Sequence, residues 1–144
     1  MNFKYTLDHY PVFGPGAKTR VSMVSTTNLS SVYHFWRTIN PVKEKRQVLL
    51  PELALEIFSK NFRFSELNPD STKVIIKKMK LGYFAMSPGD VQNYLIPVYQ
   101  ISGTTSNMAM PVYDFDLYVV AIKYSEKDVE KMGLDIGGAK GMVF

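Results

Sequence analysis

Three strand-like runs that follow one another between Met79 and Ala121 constrain the fold more than any other feature of the chain. They cover residues 79–85, 94–101 and 113–121 and are rich in aromatic and β-branched side chains. In the first and last runs, small, polar or charged residues take the alternate positions, which is typical of a sheet with one packed and one wetter face. The sequence therefore predicts an antiparallel meander.

The composition indicates one globular domain. With 144 residues, of which 46% are hydrophobic, the chain is long enough for one filled core and too short for two ordinary domains. We predict a single domain over residues 1–144, in which residues 124–144 form a tail. The absence of cysteine excludes disulfides and thiolate sites. The net charge of +4 is spread along the chain, which is typical of solvated faces.

Outside the meander, the spacing of apolar residues predicts the remaining elements. Val21 and Met23 share one face of a strand over 17–24, and residues 31–39 pair back with it as a hairpin. Pro51 suits the first position of a helix over 50–62. The other predicted elements are an irregular or short extended segment 1–16 that ends in a tight turn, a strand 72–85 bent or bulged at Gly82, a polar connection 103–110 and a short tail helix 126–132. Two prolines and two glycines within residues 11–16 exclude a helix and a central strand there.

The predicted fold class is α+β in two layers, with the order ββ-α-βββ and one main helix packed on one face of an antiparallel sheet. The last strand of the meander has one uniformly apolar face, which we expect to pack on helix 50–62 because the helix stripe needs a partner of that width. That face carries Tyr113, Phe115, Leu117 and Val119.

The opposite face of the same strand is the predicted contact surface for a partner. Asp114, Asp116 and Tyr118 share this face, and we expect them to look outward beside Lys78 and Lys80 or beside Tyr99. An outward tyrosine near charged groups supplies contact area while the charges set orientation. The alternative is cross-strand charge pairing, worth only about 0.2–1 kcal/mol for each pair.

No constellation in the sequence predicts catalysis or a metal site. His9 and His34 have no carboxylate or second imidazole at ligand spacing, so we expect structural roles for both. Asp114 and Asp116 could bind a cation or serve acid-base chemistry, but a solvated face is the more frequent role of such a pair.

The order of motifs resembles a known family. Pro11–Gly14, followed by an alternating strand, a hairpin and a helix containing Leu53–Ile57, resembles the start of the prosegment modules of secreted thermolysin-like metallopeptidases. The runs Leu81–Phe84, Tyr94–Ile101 and Phe115–Ala121 resemble the strands of the PepSY module that continues them. The chain departs from the family where Ile122-Lys123-Tyr124-Ser125 replaces an acidic residue and a Thr-Gly turn, and the zinc-helix motif His-Glu-x-x-His is absent.

The resemblance implies a stand-alone or truncated module of exported bacterial proteins that inhibits, chaperones or regulates a partner. Such a module is not an enzyme, has no cofactor or catalytic residue, binds a protein or peptide, and lies outside the cytoplasm, with any membrane tether outside this chain. A cytoplasmic location stays open, and so does the oligomeric state.

Two other functions are kept as alternatives. One is a small-molecule-binding or catalytic domain with a pocket between helix and sheet that holds Asp114, Asp116 or Glu56, since tyrosine and methionine line ligand cavities readily. The other is nucleic-acid binding, which we do not expect because no recognisable module or stacking pattern accompanies the cations. The residues that would carry it are Lys73, Lys77, Lys78, Lys80, Arg37 and Trp36.

Overall fold

The computed structural model describes residues 1–40, 45–61, 73–107, 110–125, 127–128, 131 and 142–143. These residues form two sheets and one helix with both ends defined, α1 (Pro51–Asn61), which confirms the α+β class. The strands are β1 (Asn2–Phe3), β2 (Tyr5–Leu7), β3 (Tyr10–Phe13), β4 (Lys18–Met23), β5 (Leu29–Phe35), β6 (Lys73–Phe84), β7 (Ile96–Asn107), β8 (Met110–Val120) and β9 (Met142–Val143).

The larger sheet has six strands in the order β2-β3-β6-β7-β8-β9. Its centre is the predicted meander, in which β6, β7 and β8 pair antiparallel with their chain neighbours. The β3–β6 and β8–β9 pairings are parallel, so the sheet is mixed at both sides of the meander. The meander is thus confirmed, with additional strands that the sequence did not predict.

One face of this sheet packs on α1, as predicted. Ala54 and Phe58 of the helix are buried in one cluster with Val119, and Phe115 and Leu117 pack against that cluster. Phe58 stacks on Phe115 with 6.2 Å between ring centroids. The last member of the predicted apolar face, Tyr113, is instead 47% exposed.

A second apolar cluster covers part of the opposite face. Its buried members are Phe84, Ile96, Val98, Val120 and Ile122. Phe13, the last residue of β3, packs against them together with half-buried tyrosines. The face predicted to be wet is therefore apolar toward this end of the strands and polar only toward the other end.

The predicted hairpin is confirmed as β4 and β5, but it lies outside the larger sheet. It forms a separate three-stranded antiparallel sheet in the order β1-β4-β5. The two strands pack mainly against each other and β1. The expectation of one sheet was wrong because strand alternation specifies a paired, two-faced strand without specifying which sheet it joins.

The N-terminal segment is extended, which is one of the two forms that the sequence left open. Leu7 and Tyr10 are paired across a two-residue turn at Asp8 and His9, both of which have positive φ, the backbone shape of a tight β-hairpin. Pro11 lies inside β3, which the two prolines and two glycines of residues 11–16 were expected to prevent. It is tolerated because pairing with β6 begins only at the next residue, Val12.

Two details of the meander also differ from prediction. The bulge of β6 lies between Ile76 and Lys78, whereas Gly82 lies in regular pairing with Val98. Gly82 is needed for close approach, because an added Cβ would lie 2.4 Å from the Pro11 carbonyl oxygen. The predicted polar connection 103–110 is largely strand, since Thr104 and Thr105 are paired on both sides and buried.

The chain after the meander is tied to the segment before the helix. Val48 and Ile122 form a β-bridge, and the Arg46 guanidinium donates to both carboxylate oxygens of Asp128, at 2.8 and 3.1 Å. The described residues of the predicted tail helix, Lys127, Asp128 and Lys131, are helical. Arg46 and the Ser125 amide and hydroxyl hold the pKa of Asp128 well below its usual range.

Candidate interaction surfaces

The structure brings five of the six predicted contact residues to one face of the larger sheet. The register pairs Lys78 with Ser102 and Ser102 with Asp116, and the next row on that face pairs Lys80, Gln100 and Tyr118. Directly paired residues point to the same side of a sheet. Asp114 is the fifth residue on this face, and both Asp114 and Asp116 are exposed.

Each of the two carboxylates on this face has a contact within the sheet. Ser102 donates a hydrogen bond to Asp116 Oδ1 at 2.5 Å, and Lys77 Nζ lies 3.9 Å from Asp114 Oδ1. The neighbouring Lys78 ammonium lowers the pKa of Lys80. The face thus carries a basic strand, a hydroxyl and amide row, and an acidic strand, which balance each other.

The two tyrosines of the predicted surface are not free for contact. Tyr118 is half-buried against Phe84 and Phe13, with ring centroids 4.9 and 5.7 Å away, and burial raises its pKa. Tyr99 is only 6% exposed and lies on the helix-facing side, where its hydroxyl donates to the Leu49 carbonyl at 2.7 Å. Tyr118 thus lies on the predicted face but is half-covered by the second apolar cluster, and of the two alternatives left open the strand pairing places it beside Lys80 and not beside Tyr99.

One groove lined by described residues lies away from the residues that the alternative of a pocket between helix and sheet requires. An open groove of about 390 Å³ lies at the start of α1. Asp114, Asp116 and Glu56 are not among its lining residues, which are Arg46, Gln47, Val48, Leu49, Leu50, Leu53 and Lys123. No group of three or more His, Asp or Glu side chains within the described ranges could hold a metal ion.

The aromatic and cationic side chains proposed for nucleic-acid binding are engaged internally. Trp36 is half-buried and stacks on Tyr5 at 4.4 Å between centroids. Arg37 donates to the main-chain carbonyls of Ser87 and Asp90 at 2.7 and 2.8 Å. Neither residue is therefore placed beside the lysines of β6 as a stacking platform.

The most exposed apolar surface belongs to the three-stranded sheet, which we call the arm and define as residues 1–3 and 18–35. The side chains of Met1, Phe3, Leu29 and Val32 are 73, 50, 58 and 56% exposed. Every residue from Leu29 to His34 is exposed, and β5 is paired with β4 along its length except at a bulge at Ser30. Contiguous exposed apolar side chains on a soluble protein mark contact sites for another molecule.

The two faces of the arm differ in chemistry. The pairs Phe3–Thr19, Val21–Val32 and Met23–Leu29 define one face, which is mostly apolar. Alternation places the pairs Lys18–Phe35 and Arg20–Tyr33 on the other face, which is basic and aromatic. The arm therefore presents an apolar side and a basic side along the same two strands.

The outer edge of the arm is an open strand edge within the described part of the chain, because β5 pairs only with β4. The Met1 amine donates to the Val21 carbonyl at 2.7 Å, and the Val21 amide donates back to Met1 at 2.9 Å. Since Val21 directs both groups to β1, its partner across β4–β5, Val32, directs its N–H and C=O away from β4. Because the main-chain orientation alternates along a strand, the N–H and C=O of His34 also point away from β4.

Edge protection is slight along β5. Natural edge strands are commonly blunted by lysine, proline, inward-pointing charge or a β-bulge, and of these β5 has only the bulge at Ser30, close to its start. Its main-chain groups and the side chains on both faces are thus accessible to an extended segment.

A polar network at the base of the arm fixes its direction relative to the larger sheet. The Tyr5 hydroxyl of β2 lies 2.6 Å from Thr19 Oγ1 and 3.0 Å from His34 Nδ1, and these last two atoms are 2.7 Å apart. Trp36 closes the base by stacking on Tyr5. His34 thus has the structural role expected from the sequence.

Sequence reasoning missed the arm as a contact surface. The signal was present, since Val21 and Met23 alternate with Lys18, Arg20 and Ser22. The same alternation on the partner strand, and Met1 and Phe3 two residues apart, extend the apolar face. The alternation identifies two faces, but only the three-dimensional structure shows that Met1, Phe3, Leu29 and Val32 of the apolar face stay exposed beyond the contact of Tyr5 with Thr19 and His34.

No protein-family model, curated protein or solved structure matches the chain. Among the described residues, no helix has the length and apolar character needed to cross a membrane.

Proposed function

We propose that the chain is a non-enzymatic interaction module that binds an extended segment of a partner protein along β5. The observation that carries the proposal is the open edge at Val32 and His34, bordered by exposed side chains on both faces. Added strands gain affinity from main-chain hydrogen bonds and selectivity from alternate side chains.

The arm supports strand addition better than the polar face of the larger sheet does. Asp114 and Asp116 already have partners within their own sheet, whereas the main-chain groups of Val32 point away from theirs. The network of Tyr5, Thr19 and His34 holds the arm in place before a partner arrives. A preorganised edge avoids part of the entropic cost of ordering a binding surface.

A single substitution separates edge pairing from folding. Val32→Pro removes the outward N–H of β5 and leaves the β4–β5 hydrogen bonds in place, because proline is tolerated on an edge strand when its nitrogen faces outward. Val32→Thr is the matched control, since it keeps the N–H and the β-branched shape.

The test is selection from a library of random peptides displayed on phage, followed by titration of the selected peptides. We expect peptides that bind the wild type and Val32→Thr, shift the amide resonances of residues 29–35, and lose at least about tenfold in affinity on Val32→Pro. Selected peptides that bind Val32→Pro equally well would contradict the proposal.

The family resemblance suggests one specific partner class. If the partner is a thermolysin-like metallopeptidase, the chain should inhibit such an enzyme at micromolar concentration and Val32→Pro should relieve the inhibition. Unchanged peptidase activity would reject this partner while leaving strand addition to be decided by the peptide selection. A location outside the cytoplasm is part of the same hypothesis.

A further inference from the structure

The charge of the arm is one-sided. Residues 9–43 contain no aspartate or glutamate, while the arm contains Lys18 and Arg20. Neither cation forms an ion pair with a carboxylate of the described residues. The arm is thus a basic surface whose charges are not balanced within the described part of the fold.

These cations lie on one face only. Arg20 is paired with Tyr33 and Lys18 with Phe35, one strand in from the open edge. The opposite face, carrying Val21, Val32 and other apolar side chains, contains no lysine or arginine. A strand added to β5 would direct its own side chains alternately to these two faces.

We propose that the segment bound by β5 alternates acidic and apolar residues. This inference rests on the proposed function and specifies its partner. The acidic side chains of the segment lie on the face of Lys18 and Arg20, and its apolar side chains lie beside Val32 on the other face. A shift by one residue would exchange the two faces, so the alternation also fixes the register.

Strand geometry favours glutamate over aspartate in the acidic positions. Neighbouring strands are about 4.8 Å apart, so the added strand lies about 9.6 Å from β4, which carries the cations. An extended lysine or arginine side chain spans most of this distance across β5. The longer glutamate side chain covers the remainder better than aspartate does.

The experiment uses three capped nine-residue peptides as probes. One alternates Val and Glu, one alternates Val and Lys, and one contains the Val and Glu residues in two blocks. Binding is measured by fluorescence anisotropy to the full chain and to its Val32→Pro variant. Two surface-type charge pairs predict about tenfold tighter binding of the Val-Glu peptide than of the Val-Lys peptide, with loss of the preference at high salt.

The outcomes separate this inference from the proposed function. Equal binding of all three peptides, lost on Val32→Pro, would overturn the acidic pattern and leave strand addition standing. Binding of none of the peptides, or binding that persists in Val32→Pro, would contradict both. Weaker binding of the block peptide than of the alternating one supports the two-faced recognition.

Reversing the charges of the arm provides a second test, which does not depend on differences in folding among the peptides. The double variant Lys18→Glu/Arg20→Glu should reverse the preference and bind the Val-Lys peptide more tightly. The matched control is Lys45→Glu/Lys127→Glu, which changes the net charge equally at exposed positions outside the arm and should keep the preference for Val-Glu. Circular dichroism verifies that both variants are folded, and an unreversed preference in the arm variant overturns the proposal.

Sedimentation equilibrium tests whether a second copy of the chain, instead of a partner segment, occupies the edge of β5. A monomer, with Val-Glu peptide bound at one site per chain, is the expected result. A dimer that Val32→Pro dissociates would overturn the proposal, because a second copy of the chain would then occupy β5.

Discussion

At the scale of single residues, the main chain of a neighbouring strand can lie so close to a glycine that no side chain fits there. Gly82 faces the Pro11 carbonyl in the neighbouring strand, and an added Cβ would also lie 2.5 Å from the Phe13 ring. Gly89, in the turn before β7, has no atom within 4 Å of the corresponding position. The two glycines therefore provide a matched pair for testing the β3–β6 contact.

We expect Gly82→Ala to lower the free energy of unfolding by about 1–3 kcal/mol, because the methyl group must displace the main chain of β3. Gly89→Ala should change it by less than about 0.5 kcal/mol. Urea denaturation followed by fluorescence measures both values. Equal effects at the two positions would show that β3 can move away from β6 at little cost.

A buried tyrosine should make the stability depend on alkaline pH. Burial, with a contribution from the Glu52 charge, raises the pKa of Tyr99, and burial does the same for Tyr118 and Tyr124. Above about pH 10 an unfolded tyrosine loses its proton while the folded one retains it. The unfolded state then binds fewer protons, so stability is fully present below about pH 10 and falls as pH rises through the folded pKa.

Tyr99→Phe should reduce this fall, and it should cost about 1–3 kcal/mol at neutral pH because the buried Leu49 carbonyl loses its donor. Tyr113→Phe, at an exposed position of β8, serves as the control for stability at neutral pH. Denaturant titrations between pH 8 and pH 11 measure both effects. An unchanged pH dependence in Tyr99→Phe would assign the fall to the other two tyrosines.

At the scale of elements, the arm depends on a few polar atoms at its base. Tyr5→Phe removes the hydroxyl that contacts Thr19 and His34 but keeps the ring that stacks on Trp36. We expect faster amide hydrogen exchange in residues 18–35, since exchange reports local opening, with little change in β6–β8. Tyr10→Phe removes a hydroxyl from the other end of the same hairpin and should leave exchange in the arm unchanged.

Local patterns predicted the elements better than their assembly. The stripe from Leu53 to Phe58 specifies α1 because its period and the initiating Pro51 act within the helix itself. The face of β8 that packs on α1 was predicted for the same reason. The exposure of Tyr118 could not be predicted, since it depends on Phe13, which reaches the sheet from a segment about a hundred residues earlier in the chain.

The same limit applies to the candidate site. The sequence placed Asp114 and Asp116 on one face and left Lys78 and Lys80 as one of two alternatives beside them, which the register selects. It did not show that the two carboxylates have contacts with neighbours such as Ser102. Nor did it show that β5 is an edge strand, because the position of a strand in its sheet depends on which other strands pair beside it.

At the scale of the whole molecule, the arm and the larger sheet have separate packing. We expect a variant in which Asn-Gly replaces residues 19–34 to remain folded, because Lys18 and Phe35 are directly paired and a two-residue turn can join them. Its thermal midpoint should fall by no more than about 5 °C, and binding of peptides should be lost. Loss of cooperative unfolding would show that the arm is part of the core.

The parallel pairing of β3 with β6 sets an order for folding. It joins Val12 to Tyr83, so β4, β5, the helix and the intervening connections lie in the loop that this contact closes. The β6–β7–β8 pairings close much shorter loops, and contacts distant in sequence form late because their closure entropy must be overcome first. Substitutions at the contact between β3 and β6 should therefore raise the unfolding rate more than they lower the folding rate. The binding edge forms separately, in the β4–β5 hairpin.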